Sequence, residues 1–213
     1  MPLYTTEGLI LRSYALGESD RIVVFLTRDR GKKRGVAKNA RQSRRRFGGA
    51  LEPLTCGRIA YVERERRDLV RVEYVEPTRS PLLAPDGEAL GYVGYFAELI
   101  DEWSPEADPN ESLFRLGSSV VDAIVRGVPI EPLARYFEYW LLRLQGVYEP
   151  AAGLSPDARA FLSAARTSSP FVLGVLTVPA RALRELEGAH RALIARHLEK
   201  ELKSVRVLRE MRR

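Results

Sequence analysis

Cysteine, histidine and long apolar runs are what this sequence has least of. Of 213 residues, one is cysteine and two are histidine. A single thiol, Cys56, excludes an internal disulfide and any cysteine-built zinc site. It stands in LTCGRIAYV, a strand-like run, where a small buried hydrophobe is the expected role. His190 and His197 are seven residues apart, whereas metal-binding pairs on a helix sit about three or four apart. The patterns GxxxxGK[ST] and GxGxxG are absent, and GKKRG (Gly31 to Gly35) has the letters of a phosphate grip without its spacing. We therefore expect no metal, no cofactor and no enzymatic role. The longest apolar runs, such as IVVFL (Ile22 to Leu26), stop at about five residues, against roughly 20 for a bilayer-spanning helix. The opening MPLYTTEG has no basic segment followed by an apolar one, so no signal peptide and a cytoplasmic location are expected.

What the chain does have is positive charge in one place. Net charge is +6, but the distribution is in blocks: +8 over residues 1–80, −8 over 81–150 and +6 over 151–213. Between Arg28 and Arg46, 10 of 19 residues are Lys or Arg, against one acid, Asp29. Like charge at that density is unfavourable unless a partner supplies the opposite sign. A solvated loop that only aids solubility is the plain alternative. Against it stand the missing acids, the glycines that permit close backbone approach (Gly31, Gly35, Gly48, Gly49), and the position between strands. A polyanion would neutralise the run and release condensed counterions. Lys32, Lys33, Arg34, Lys38, Arg41, Arg44, Arg45 and Arg46 are the candidate phosphate contacts. Such contacts carry no base code. For Tyr14, Phe47 and Tyr61 ordinary core packing is the first expectation; as candidates for base stacking, Phe47 beside Arg46 is foremost.

Apolar patterning places this run in a small β domain. Strands are expected at Gly8–Ala15, Asp20–Arg28, Lys33–Lys38, Cys56–Glu65 and Leu69–Glu76, the last alternating Val70, Val72, Tyr74 with Arg71, Glu73. Five short strands in about 75 residues fit a small antiparallel barrel. Pro77 and Pro81 mark a break. The rest reads as helices: Glu88–Trp103; one opened by Asp108 as N-cap, Pro109 and Glu111, running to about Arg126; Ile130–Gly146; Ser155 to Arg166; and Thr177 or Val178-Pro179 to about Lys203. The fold class is thus α+β: residues 1–80 a five-stranded OB-fold barrel that binds nucleic acid, residues 81–213 an all-helical domain.

The stretch LGESDRIVVFLTRDRGKKRGVAKNARQSRRRFGGALEP (Leu16 to Pro53) resembles the bacterial recombination mediator family RecO. The shared pattern is a GE-x-D turn (Gly17, Glu18, Asp20), a strand ending in Thr27, the turn glycine Gly31, an AK-x-AR element (Ala37, Lys38, Ala40, Arg41) and a G-x-L-x-P stretch (Gly49, Leu51, Pro53). HLEKELKSVRVLREMRR (His197 to Arg213) is similar to the family's ending. The resemblance implies a protein that binds single- and double-stranded DNA and anneals complementary strands in recombinational repair of DNA damage. With RecR it would help load RecA on DNA coated by the single-strand-binding protein SSB, in the bacterial nucleoid. It assigns DNA contacts to Lys38 and Arg41. It also implies a site on the helical domain for the acidic, apolar tail of SSB; the central helix offers Arg135 and Arg143 near Phe137, Trp140 and Leu141. One feature departs from the family. Many members carry a four-cysteine zinc module after the central helix, and here Gln145 to Leu162 has no cysteine, so no zinc is expected. From the residues alone, an RNA- or ribosome-associated OB-fold module remains open, as does an adaptor whose basic loop docks an acidic protein.

Overall fold

The computed structural model describes residues 2–63, 68–85 and 87–211. The chain opens with β1 (Leu3–Leu16), β2 (Asp20–Thr27) and β3 (Gly31–Ala37), then a short helix α1 (Arg44–Phe47), β4 (Cys56–Val62) and β5 (Val70–Arg79). The strands close into a barrel in the order β1-β2-β3-β5-β4. This is the five-stranded OB-fold arrangement. Strand β1 is longer than the apolar run from Gly8 suggests because it serves two neighbours. Its first half, Leu3–Leu9, pairs with β4 and its second, Gly8–Leu16, with β2. The expected fourth strand ends at Val62; its last residue, Glu65, lies outside the described residues. The fifth does not stop at Glu76. It runs on through Pro77, beside a register shift opposite Cys56 and Gly57, which is where a strand tolerates a residue with no N–H to donate.

Two apolar cores share the barrel wall. Alternation in β1 and β2 turns Ile10, Val23 and Phe25 inward, where they meet Ile59, Tyr61, Val70, Val72 and Val75. The opposite parity turns Leu9, Leu11, Val24 and Leu26 outward against the helices. A register shift between Ile10 and Arg12 places both Leu11 and Arg12 on this outer side. The helices are α2 (Gly87–Trp103), α3 (Glu111–Val125), α4 (Ile130–Leu144), α5 (Pro156–Thr167), α6 (Ala180–Leu198) and α7 (Lys203–Met211). Gly117 on α3 allows the close approach of barrel and helices: a Cβ there would sit 2.7 Å from Leu9.

Three helical details differ from expectation. The N-cap of α3 is Asn110, whose side chain accepts from the Leu113 amide; Asp108 lies a further turn out, its backbone packed against Gly31. The last helix is two. Glu199 takes a left-handed conformation (φ 52°) and ends α6. Helix α7 then starts afresh, both Glu98 carboxylate oxygens accepting its first amides, at 3.0 Å from Lys203 N and 2.8 Å from Ser204 N.

The helical core holds a buried ionic centre. Glu138 accepts from Tyr95 Oη at 2.7 Å and Arg135 Nη2 at 2.7 Å, and lies 3.0 Å from His190 Nδ1. Arg135 also reaches Glu187 at 3.3 Å. Burial alone would push the Glu138 carboxyl up, but Arg135, His190 and Tyr95 together hold it below the usual carboxylate range. A carboxyl depressed in the folded state adds stability above its unfolded pKa, and that stability is lost as pH falls through the folded value. Glu138→Gln leaves Arg135 without its closest charge partner. We expect it to cost about 3–5 kcal/mol in denaturant unfolding and to flatten the loss of stability on acidification.

Candidate nucleic-acid interface

The basic run divides into four environments, set by strand parity and by what stands opposite. Along β3, side chains alternate faces. Lys32 points to the helices: its Nζ is 2.7 Å from the Asp101 carbonyl and 3.0 Å from the Asp101 carboxylate. Asp101 is 3% exposed and also takes Arg12 at 2.6 Å. Lys33, on the other face, reaches Glu63 at 2.8 Å. Both lysines border a notch of about 200 Å³ that also holds Glu63, Asp68 and Glu106. These two sequence-based candidates are corrected: their ammonium groups already have carboxylates and are poor phosphate ligands.

The segment after β3 is pinned to the barrel. Phe47, Ala50 and Leu51 enter the inner core at the barrel's mouth. Phe47 is 2% exposed and Tyr61 is fully buried, so neither offers a ring face to a base. The stacking role is corrected for these two and the core role first expected of them is what the structure shows, for the same reason in both: an open barrel end must be filled by apolar side chains. Arg46 is tied into the loop it stands on. Its Nε donates to Ser43 at 3.0 Å and its Nη2 to the Lys38 carbonyl at 2.8 Å, and its guanidinium lies 5.0 Å from the Phe47 ring centroid.

Lys38, Arg41, Arg44 and Arg45 are exposed, with no ion pair to a carboxylate among the described residues. Arg34 is exposed as well, and donates to the Tyr14 hydroxyl at 3.0 Å. That bond, with Coulombic help from Glu106 and Asp101, raises its already high pKa. The turn motif positions this group. Asp20 accepts from the Asn39 amide at 2.8 Å, the Arg41 amide donates to the Ser19 carbonyl at 3.1 Å, and the Arg41 guanidinium donates to the Glu18 carbonyl at 3.2 Å. Asn39 takes a left-handed conformation at φ 54° to make the bend. Asp20 is thus the residue that locks the basic loop to the β1–β2 turn, a role the charge count alone does not reveal. The outward parity shared by Tyr14, Ile22 and Val36, which stand side by side across three strands, is legible only once the register is known.

On the helical side, Arg135 belongs to the buried ionic centre, and Phe137 and Leu141 are fully buried core. These three are therefore corrected as peptide contacts: α4 is central, and most of its circumference is covered. Trp140 is half-buried, and Arg143 is exposed and packs over Tyr139 and Trp140. Trp140 borders an open groove of about 340 Å³ with Ser112, Arg115, Leu116, Ser119, Tyr136, Leu144, Ser169 and Pro170. Among the described residues, Arg115 is its one charged lining residue.

A zinc module does not fit this chain. The connection between α4 and α5 contains no cysteine, its acid Glu149 pairs with Arg196 at 3.1 Å, and Cys56 is buried in the wall, its thiol pushed up to about 11 by burial. Among the described residues, no cluster of three His, Cys, Asp or Glu is placed to hold a metal ion, and no helix is long and apolar enough to cross a membrane.

A closed five-stranded barrel with a basic loop at its mouth, joined to a helical array, defines an OB-fold protein. Residues 1–81 match the family described as "Recombination protein O N terminal" and residues 84–150 the one described as "Recombination protein O C terminal". Among curated proteins, the "DNA repair protein RecO" of Koribacter versatilis is 45% identical over 148 residues, 68% of this chain and 59% of that protein. Those of Geobacter metallireducens (40% over 141 residues, 66% and 57%) and Anaeromyxobacter sp. strain K (41% over 150 residues, 70% and 56%) carry the same name. The chain belongs to the RecO family. It spans less than two thirds of the length of these relatives.

Because Phe47 fills the barrel mouth, Phe47→Leu is expected to lower stability by less than about 1.5 kcal/mol and to leave affinity for single-stranded oligonucleotides unchanged. Fluorescence anisotropy checks this: a stacking ring would show on the order of a tenfold loss.

Proposed function

We propose that this protein acts in DNA repair as a recombination mediator that binds single- and double-stranded DNA and anneals complementary strands. The observation that carries this reading is the row of outward cations, Lys38, Arg41, Arg44 and Arg45, held on a fixed frame with no ion pair to a carboxylate among the described residues, with Arg34 beside them on the Tyr14 hydroxyl. Annealing requires that phosphate repulsion between two strands be screened while the bases stay free to pair. Guanidinium and ammonium groups on a barrel rim do this without reading sequence. Residues 1–80 would be the DNA-binding unit, and residues 81–213 the platform for protein partners.

The relatives' name supports a role in DNA repair; RecR, RecA loading and SSB-coated DNA are the setting that the resemblance to the RecO family implies. For the SSB tail, the groove bordered by Arg115, Tyr136, Trp140 and Leu144 suits an acidic, apolar peptide better than the face of α4 that is buried. Within a block of net charge −8, a lining with one cation and no acid among the described residues spares such a tail the block's repulsion. Arg115→Glu is expected to abolish capture of an SSB-tail peptide and to leave annealing of naked strands intact.

Five single-strand phosphate contacts give a slope of about −3.5 for log K against log salt. We expect that slope for the wild type, and Lys38→Glu/Arg41→Glu to reduce it by about 1.4 and to suppress annealing, with or without SSB. A fluorescence annealing assay across a salt series measures both. Unchanged annealing in the double variant removes the loop from the mechanism. Preference for RNA over matched DNA in competition points instead to an RNA- or ribosome-associated module.

A further inference from the structure

An acid stands beside the basic loop, and charge alone does not explain it. Asp20 closes the GE-x-D turn and starts β2. A carboxylate next to cations that grip a polyanion weakens the grip by Coulomb repulsion. Acids that approach β3 from elsewhere neutralise cations: Asp101 takes Lys32, and Glu63 takes Lys33. The Asp20 bonds go instead to neutral donors. Its Oδ1 accepts from the Asn39 amide at 2.8 Å and from the Ser19 hydroxyl at 3.3 Å. Two further bonds tie the loop to the same turn. The Arg41 amide donates to the Ser19 carbonyl at 3.1 Å, and the Arg41 guanidinium to the Glu18 carbonyl at 3.2 Å. Of these three bonds, only that of Asp20 has a side chain as its acceptor. It falls on Asn39, whose left-handed backbone (φ 54°) makes the bend. From the inner side of the loop, Arg46 Nη2 donates to the Lys38 carbonyl at 2.8 Å, so the bend is held from two directions.

We propose that Asp20 is a positioning residue for DNA: by holding the Asn39 amide it keeps Lys38 and Arg41 in the arrangement that meets a phosphate chain, and this hydrogen bond outweighs the repulsion its charge exerts. The proposal rests on the DNA-binding reading above and deepens it. Lys38, Arg41, Arg44 and Arg45 repel one another, and a loop released at Asn39 would spread them apart. Fixing the bend sets them in place before DNA arrives, so the ordering entropy is lost on folding and not on binding. The same phosphates are engaged with or without the lock. What changes is affinity at every salt concentration, not the number of counterions released. The lock acts alike on single strands and duplexes, since both present phosphates.

The test compares wild type, Asp20→Asn, Asp20→Ala and Asp20→Glu by anisotropy on a thymidine oligomer across a salt series. Amide hydrogen exchange at Asn39 and Arg41, and denaturant unfolding, are measured alongside. Asparagine and alanine remove the same charge, but the asparagine side chain keeps an oxygen that can accept from the Asn39 amide. We expect Asp20→Ala to bind about tenfold more weakly despite its more favourable net charge, with an unchanged salt slope and faster exchange at the two amides. Asp20→Asn is the rescue: it binds about twofold more tightly than wild type, with exchange unaltered. Asp20→Glu keeps the charge but displaces the acceptor by one methylene, and it weakens binding as alanine does; it carries the test if Asp20→Ala fails to fold. Equal affinity of Asp20→Ala and Asp20→Asn, whether both tighter or both weaker, overturns the proposal. So does faster exchange in Asp20→Ala at unchanged affinity, or wild-type affinity in Asp20→Glu. Each of these leaves the basic loop as a DNA site. Failure of the wild type to bind DNA overturns the DNA-binding reading itself, and the positioning role with it.

Discussion

Everything about the basic loop follows from three apolar side chains. A five-stranded barrel has an open end, and its inner residues, Ile10, Val23, Phe25 and Ala37 among them, would face water there. Phe47, Ala50 and Leu51 close it. Burying a phenylalanine is worth about 1.5–3 kcal/mol, enough to hold a short segment whose like charges repel. Residues 44–47 then form a single helical turn whose fourth member faces inward, so Arg44 and Arg45 face out. The charges are thus displayed by burial of their neighbours. The backbone between Lys38 and Ser43 is fixed at its start by Asp20 and at its end by the Ser43 amide, which donates to the Asn39 carbonyl at 2.9 Å.

The junction between barrel and helices is ionic at its rim and apolar at its centre. Arg79 places Nη1 2.7 Å from both carboxylate oxygens of Asp122. Arg28 reaches Glu111 at 3.0 Å and Glu7 at 3.1 Å. Asp101 takes Arg12 and Lys32. Exposed pairs of this kind contribute little each; Asp101, buried and shared by two cations, contributes direction more than stability. The junction sets which half of the outer strand face remains open, and so it determines where an extended ligand can lie.

Much of the fold was legible in the sequence because it is written in short-range patterns. Alternation in Val70 and Val72 marked a strand with one wet face, though the register shift opposite Ala60 and Tyr61 turns Val75 inward and leaves Tyr74 exposed, and the 3.6-residue stripe of α2 marked a helix. Pro77 misled, because its penalty disappears at a register shift that only the partner strand reveals. Asp108 misled as an N-cap because Asn110 offered the same chemistry two residues later. At the site, the run of cations was plain, but the roles within it were not. Lys32, Lys33 and Arg34 are adjacent, equally charged and equally distant from any motif. Their fates differ because a strand turns successive side chains to opposite faces, and because Asp101 and Glu63 arrive from far along the chain. For Phe47 the neighbouring arginines suggest a stacking role beside the core role; nothing local says that a barrel mouth needs filling.

The opposing charge blocks acquire a different meaning from these contacts. Read along the chain, a head of +8 and a middle of −8 suggest separate tasks. In the fold they are partly one balance. Asp101, Glu111 and Asp122 of the acidic block pair with Arg12, Lys32, Arg28 and Arg79 of the basic one. The cations thus neutralised are those nearest the helices, and those left over gather at the opposite end, around Lys38 to Arg45. Pairing near the junction therefore sharpens the field instead of cancelling it: it removes positive charge where a phosphate chain would meet the acidic helices and leaves it where the surface is open. A uniformly basic barrel would attract a polyanion to every face, including those blocked by α2 and α3. Selective neutralisation leaves the unpaired cations of the described residues 38–45 together at the end of the barrel away from the helices.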